Sequence, residues 1–177
     1  MKVTLLAFGG LLVAASFCAC NNNNDNTDTS NIVNSTDSMF VMKAGMGNTA
    51  EINVAHLAIT KSSDSAILNF ANKMIADHTA AQNSLKNIAS KYQLNVPDSV
   101  DAAHAQMQAE LSLLSGRAFD SSYIHGQVLD HQATVQLFQT EGTGGNNGDL
   151  HNYADTTLPK LQMHLDLANS IDSTYHP

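Results

Sequence analysis

The chain has 177 residues, with 16 acidic side chains against eight Lys and Arg, giving a formal net charge of -8; with no basic patch to displace counterions from phosphates, nucleic acid is excluded as a partner. An anionic membrane surface would not attract it either, so membrane attachment has to come from a covalent lipid. An Ala- and Leu-rich composition with no Trp, three Pro and 6% aromatic residues favours helices over sheets.

The first residues read as a secretory signal. Lys2 supplies a positive start, Val3 to Val13 is an apolar stretch too short to span a bilayer as a mature helix, and small residues follow. Two cleavage readings are open: an ordinary signal peptidase site within residues 15–19, or a lipoprotein site in which Phe17-Cys18-Ala19 precedes the acceptor Cys20. Ala19 fits the small position of a bacterial lipobox, whereas Phe17 and Cys18 are less usual before it. The preferred division is a lipoprotein-type signal over residues 1–19 with lipid on Cys20. If Cys18 leaves with the signal, the mature chain has neither a free thiol nor a disulfide in an oxidising compartment, so stability rests on a packed core or a bound ion.

Residues 21–38 read N-N-N-N-D-N-T-D-T-S-N-I-V-N-S-T-D-S. So few apolar residues cannot offset the entropy of ordering, which makes 20–38 a lipidated cysteine and flexible tether and leaves 39–173 as one domain with a sizeable core. A first helix is expected after Thr36 or Asp37, both good N-caps, running to about Thr60 with Phe40, Ala44, Gly47, Glu51, Val54 and Ala58 on its seam. The polar run Ser62 to Ser65 then makes a connection short enough for an antiparallel hairpin. The second helix, roughly Ala66 to Gln93, places Ile67, Ala71, Met74, His78, Ala81, Leu85, Ile88 and Tyr92 at alternating steps of four and three.

Pro97 ends that region, and Val100 to Leu114 is a shorter helical pattern interrupted at Ser115-Gly116. A third long helix, roughly Arg117 to Thr140, has Ile124, Val128, His131, Val135 and Phe138 on its seam. The run G-T-G-G-N-N-G at 142–148 is a flexible turn; lacking a following Lys-Ser/Thr it is no phosphate loop. The fourth helix covers about Asp149 to Ser173, with Leu150, Ala154, Thr157, Leu161, His164, Ala168 and Ile171 in the same spacing. Pro159 either kinks it or separates two helices at Thr156/Thr157.

Four long helices in two hairpins, joined by a crossover with its own short helix, give the expected fold: all-α, a ferritin-like antiparallel four-helix bundle with a short extra helix in the crossover. Each seam carries one side chain of metal-ligand type, Glu51, His78, His131 and His164. Burying four such groups in one small core is costly unless they satisfy one another or an ion. Two readings therefore stand, a mutually hydrogen-bonded cluster or a site for one Zn, Cu or Fe ion, metals suited to imidazole. At about 1.5 Å per residue, Glu51 and His78 differ in level by one to two turns and His131 and His164 by about one, so the His trio is the main ligand set, with Glu51 or Tyr123 assisting.

His56, His104, His125, His151 and His176 fall off the seams or in the termini. Asp77 and Asp130 lie about 100° around their helices from the adjacent His, which suits a supporting or surface role. Met39, Met42 and Met46 recur at helical spacing and form either a core or interface stripe or a set of thioether ligands for Cu(I). No nucleophile stands at motif spacing from a base, so no catalytic residue is assigned.

The ordered set Glu51, M-I-A-D-H at 74–78, F-D-x-x-Y at 119–123, D-H at 130–131 and L-P-x-L-x-x-H-L at 158–165 resembles the bacterial DUF4142 family over about Asp37 to Asp172. The resemblance implies export and a ferritin-like helical fold, and supplies no reaction. Ile75, Val128 and Leu161 stand three residues before the three histidines, so the E-x-x-H pairs of ferritin-like di-iron enzymes are missing and too few carboxylates remain for a di-iron oxidase.

The expected protein is a lipid-anchored, periplasmic or outer-membrane binding protein without enzymatic activity, whose His/Glu cluster holds one transition-metal ion. The alternatives are a structural or stress-related envelope protein without metal and, last, a non-haem metal enzyme. The membrane is the one partner indicated, reached through the N-terminal lipid, and charge and patterning are compatible with a monomer.

Overall fold

A computed structural model of the chain describes residues 31–176; the signal sequence, Cys20 and most of the expected tether lie outside the described residues. Five helices follow in order: α1 (Ser35–Lys61), α2 (Ser65–Lys91), α3 (Ala102–Ser112), α4 (Gly116–Gly144) and α5 (Gly148–Tyr175). No strand occurs among the described residues.

The local chemistry explains where these helices begin. α1 starts slightly earlier than Thr36 or Asp37, because Asn34 is its cap. The Asn34 side chain accepts from Asp37 N at 2.9 Å and the Asp37 carboxylate accepts from Asn34 N at 2.6 Å, a reciprocal capping box. Asp64 caps α2 by accepting from Ala66 N at 2.7 Å. α4 runs past the expected stop at Thr140 to Gly144, and Asn147 caps α5. Pro159 does not end α5, which is continuous through it. The proline is exposed, so solvent can serve the Asp155 carbonyl that it leaves without a helical donor.

Three-residue connections turn α1 into α2 and α4 into α5, and each pair packs along its length. Contacts α1–α4 and α2–α5 close the four long helices into a ring, while α3 lies outside against α1 and α4. Phe40, Phe138 and Tyr153 fill the end near the α4–α5 turn, with ring centroids 4.9–6.0 Å apart. Phe70, Phe119 and Tyr123 fill the other end. Between these aromatic layers the core turns polar.

The crossover before α3 is pressed onto α1 at Gly45. A Cβ there would meet Val96 Cγ1 at 2.7 Å and Pro97 Cδ at 3.0 Å, so only glycine lets the two backbones approach. Gly45→Ala should therefore destabilise the fold by roughly 1–3 kcal/mol by overpacking, read as a lower urea midpoint. The half-buried Gly47, with nothing within 4 Å of such a Cβ, is the control and should tolerate Ala.

Candidate metal centre

His78 of α2, His131 of α4 and His164 of α5 meet in the middle of the bundle. Their ring centroids are 5.4–5.6 Å apart, one ring nitrogen from each lies within 4.8 Å of the others, and all three residues are at most 3% exposed. The separations are well inside the roughly 8 Å beyond which no ion could be shared, given metal–nitrogen bonds near 2 Å.

The far side of each ring decides which nitrogen faces inward. Asn48 Nδ2 donates to Gln82 Oε1 at 3.2 Å, and Gln82 Nε2 in turn donates to the Pro97 carbonyl at 2.9 Å. The Asn48 carbonyl oxygen is thereby left for His78, whose Nδ1–H donates to it at 2.9 Å. His131 Nδ1–H donates to the Gln127 backbone carbonyl at 2.9 Å, and His164 Nε2–H donates to Asp77 Oδ2 at 2.8 Å. A neutral imidazole has a single N–H, so each ring has used its donor.

The remaining nitrogens, His78 Nε2, His131 Nε2 and His164 Nδ1, are lone-pair acceptors, buried and without a hydrogen-bond partner among the described residues. Protonation would not relieve them easily. Burial holds the His78 ring well below its usual range, helped by the other two rings, and burial also lowers His131 and takes His164 down to about 4 despite Asp77. Three facing acceptors cannot hydrogen-bond one another, which removes the mutually bonded cluster of rings as an account of the trio.

Asp77 is the residue whose part the sequence left loosest. Its side chain points away from the trio and toward α5, where it holds His164 and pairs with Lys160 at 2.9 Å. Burial alone would raise its pKa, but the hydrogen bonds from Lys160 and His164 take it down to about 2, so it is a full carboxylate behind the imidazole. A recess of about 210 Å³ opens beside it, lined in part by Tyr153 and Lys160. Asn48, Gln82 and Gln127 were missed in the sequence. Asn48 and Glu51, one turn apart and both polar on a buried face, were the available signal.

Glu51 is buried but stands behind His131, with Oε1 3.6 Å from Nδ1, and it is not grouped with the three inward nitrogens. Burial, with the Asp130 charge second, raises its pKa to about 8, so at neutral pH it carries a proton. The Tyr123 hydroxyl is buried without a partner and held above its usual range by burial and by Glu51. Met39 and Met42 are exposed and Met46 is half-buried; Met39 lines a groove of about 690 Å³ between α1, α3 and α4, with His104, Met107 and Asp130. His125 and His176 share a second, exposed cluster with Asp172.

Comparison with known proteins bears on family and fold. The model of a family described as "Domain of unknown function (DUF4142)" matches residues 22–171. No curated protein matches the chain. Among solved structures, the crystal structure of a DUF305 protein from Streptomyces coelicolor, described as secreted, is similar with a TM-score of 0.69 at 11% identity, over 80% of this chain and 94% of that one. At that identity the likeness speaks for the helical fold alone.

Proposed function

This chain belongs to the DUF4142 family, and from that premise we propose that it is an exported cell-envelope protein that holds one transition-metal ion in the core of a ferritin-like antiparallel four-helix bundle. The observation that carries the reading is the outward commitment of all three imidazole N–H groups, which aims three buried lone pairs at one point. Each buried acceptor left unpaired costs about 1–3 kcal/mol; a cation between them converts that cost into ligation. A carbonyl or carboxylate behind each ring is the arrangement that orients metal-bound histidines and raises their basicity.

His78 Nε2, His131 Nε2 and His164 Nδ1 are the ligands, and Zn, Cu and Fe are the metals that suit such a donor set. Glu51 assists from behind His131 after losing its proton, with Tyr123, which feels the Glu51 charge, as the further assisting group. A three-histidine site leaves a coordination position open, as catalytic zinc sites do. Rings this deeply buried favour retention of an ion over turnover of a substrate, which places the enzyme reading last. The metal-free alternative, in which the polar core only sets bundle register, leaves one of the three lone pairs unanswered even with a water between the rings, since one water offers two donors.

The same proposal covers the N-terminus: a signal over residues 1–19, lipid on Cys20, a tether that ends before the capping box at Asn34, and the bundle from α1 onward. Export is in keeping with the secreted DUF305 neighbour, and no described helix is long and apolar enough to cross a membrane. Elemental analysis of the full chain purified without chelator tests the metal reading. About one equivalent of Zn, Cu or Fe is expected; no metal, together with no thermal shift on adding any of the three, overturns it.

A further inference from the structure

We propose that His125, Asp172 and His176 form a second, solvent-facing site for a divalent ion of the zinc–copper–nickel group, at the end of the bundle where α4 begins and α5 finishes. The site is built from two i,i+4 pairs, Ser121 with His125 on α4, and Asp172 on α5 with His176, the residue that caps the C-terminus of that helix. Asp172 Oδ1 lies 2.8 Å from His176 Nδ1 and Oδ2 lies 3.4 Å from His125 Nδ1. The ring centroids are 5.4 Å apart, and one donor atom from each of the three residues falls within 4.8 Å of the others.

Two features make this more than a pair of His–Asp contacts. Ser121 Oγ sits 3.0 Å from His176 Nε2; without an ion Nδ1–H donates to the Asp172 carboxylate, and when an ion replaces that proton Nε2–H donates to the hydroxyl, leaving Nδ1 as a ligand lone pair. Both rings thus turn Nδ1 toward one acid, and no Lys or Arg is paired with Asp172 among the described residues. The carboxylate charge is met by the imidazoles alone. Two nitrogens and one carboxylate oxygen are a donor set for borderline divalent ions, with a serine oxygen behind one ligand. The histidine side chains are about half exposed, 54% and 50%, so water completes the coordination and the ion exchanges without any opening of the bundle. The buried trio is not required for any of this.

Zn(II) is the probe, in equilibrium dialysis against the full chain at pH 7, with ¹⁵N-histidine NMR as the site-resolved readout. The wild type should bind one Zn(II) more than His125→Ala/His176→Ala, and the imidazole signals of His125 and His176 should move on binding. Asp172→Asn, which keeps the size of the side chain and loses its charge, should weaken that equivalent at least tenfold. His125 and His176 are exposed and Asp172→Asn keeps the side chain's size, so the helical circular dichroism is unchanged in these variants. Equal stoichiometry and affinity in the wild type and the double variant, or unmoved His125 and His176 signals, overturns the proposal. Failure of the buried site gives a different pattern, one Zn(II) in the wild type and none in the double variant.

Discussion

In a His125→Ala/His176→Ala background, the further change His131→Ala should abolish the thermal stabilisation given by Zn(II). With the ion at about a hundred times its dissociation constant, linkage gives about 2.7 kcal/mol, a shift of roughly 5–10 °C for a domain of this size. The truncation has a second effect that must be separated out. His131 packs 6.3 Å from the Phe70 ring and 5.4–5.6 Å from the other two imidazoles, so a cavity forms and metal-free stability falls by about 2–5 kcal/mol. The informative quantity is therefore the melting temperature with Zn(II) minus that without, measured in the background and in the variant. A core that only sets register would lose the same stability in both conditions and show no shift in the parent. Asn48→Ala and Asp77→Ala keep all three rings but release His78 and His164 from their outer partners. Their Zn(II) affinity should fall about 10–100-fold.

Raising the pH from 7 to 9 should destabilise the metal-free protein, and Glu141→Gln should remove about half of that loss. Glu141 is buried at the end of α4 against Asp37, and burial, then its side-chain hydrogen bond to Asp37 and the Asp37 charge, raises its pKa from 4.5 to about 8. Asp37 holds its position by accepting from the backbone N–H groups of Asn34, Asn146 and Asn147, so Glu141 is the member that keeps the proton. The unfolded chain releases that proton near pH 4.5 and the folded chain near 8. Between these values the folded state binds more protons, so its stability is complete below about pH 4.5 and declines as pH rises toward 8. The decline amounts to at most about 5 kcal/mol per group. Glu51, also raised to about 8, acts in the same direction, which is why the Gln variant flattens the profile only in part. Urea unfolding at pH 7, 8 and 9 measures the effect, above the range in which the three buried imidazoles, lowered by burial, act in the opposite direction; a wild type equally stable at pH 7 and 9 would contradict it.

The three-and-four spacing was enough to name His78, His131 and His164 as core-facing, because a helical seam is a local property. Level was harder, since it depends on where each hairpin turns. His78 and Asn48 lie equally far from Ser63, at the centre of the α1–α2 connection, so it is Asn48 that faces His78 and Glu51 is displaced by one turn. His131 lies 15 residues and His164 18 residues from Asn146, the centre of the α4–α5 connection, so they differ in level by less than one turn, which became visible only once α4 was seen to continue to Gly144. Asp77, about 100° around the helix from His78, was read correctly as facing another way; that it faces His164 depends on how α2 packs against α5, a long-range fact. Asp37 and Glu141 are more than a hundred positions apart, and no periodicity connects them.

The strap over the first described residues has a mechanical consequence. Asn34 Nδ2 donates to the Gly144 carbonyl, Asn146 Nδ2 to that of Ile32 and Asn147 Nδ2 to that of Asn31, in addition to the Asp37 contacts. Residues 31–37, the approach to α1 and its first turn, are thus stitched to the α4–α5 turn. Tension arriving from the N-terminal side is shared among these short bonds, which run across to a different hairpin, and they must part before α1 can be drawn out from beside α2 and α4. The same stitching gives the molecule a near end, where the chain comes in, and a far end carrying His125, Asp172 and His176, with the buried imidazoles midway between the two.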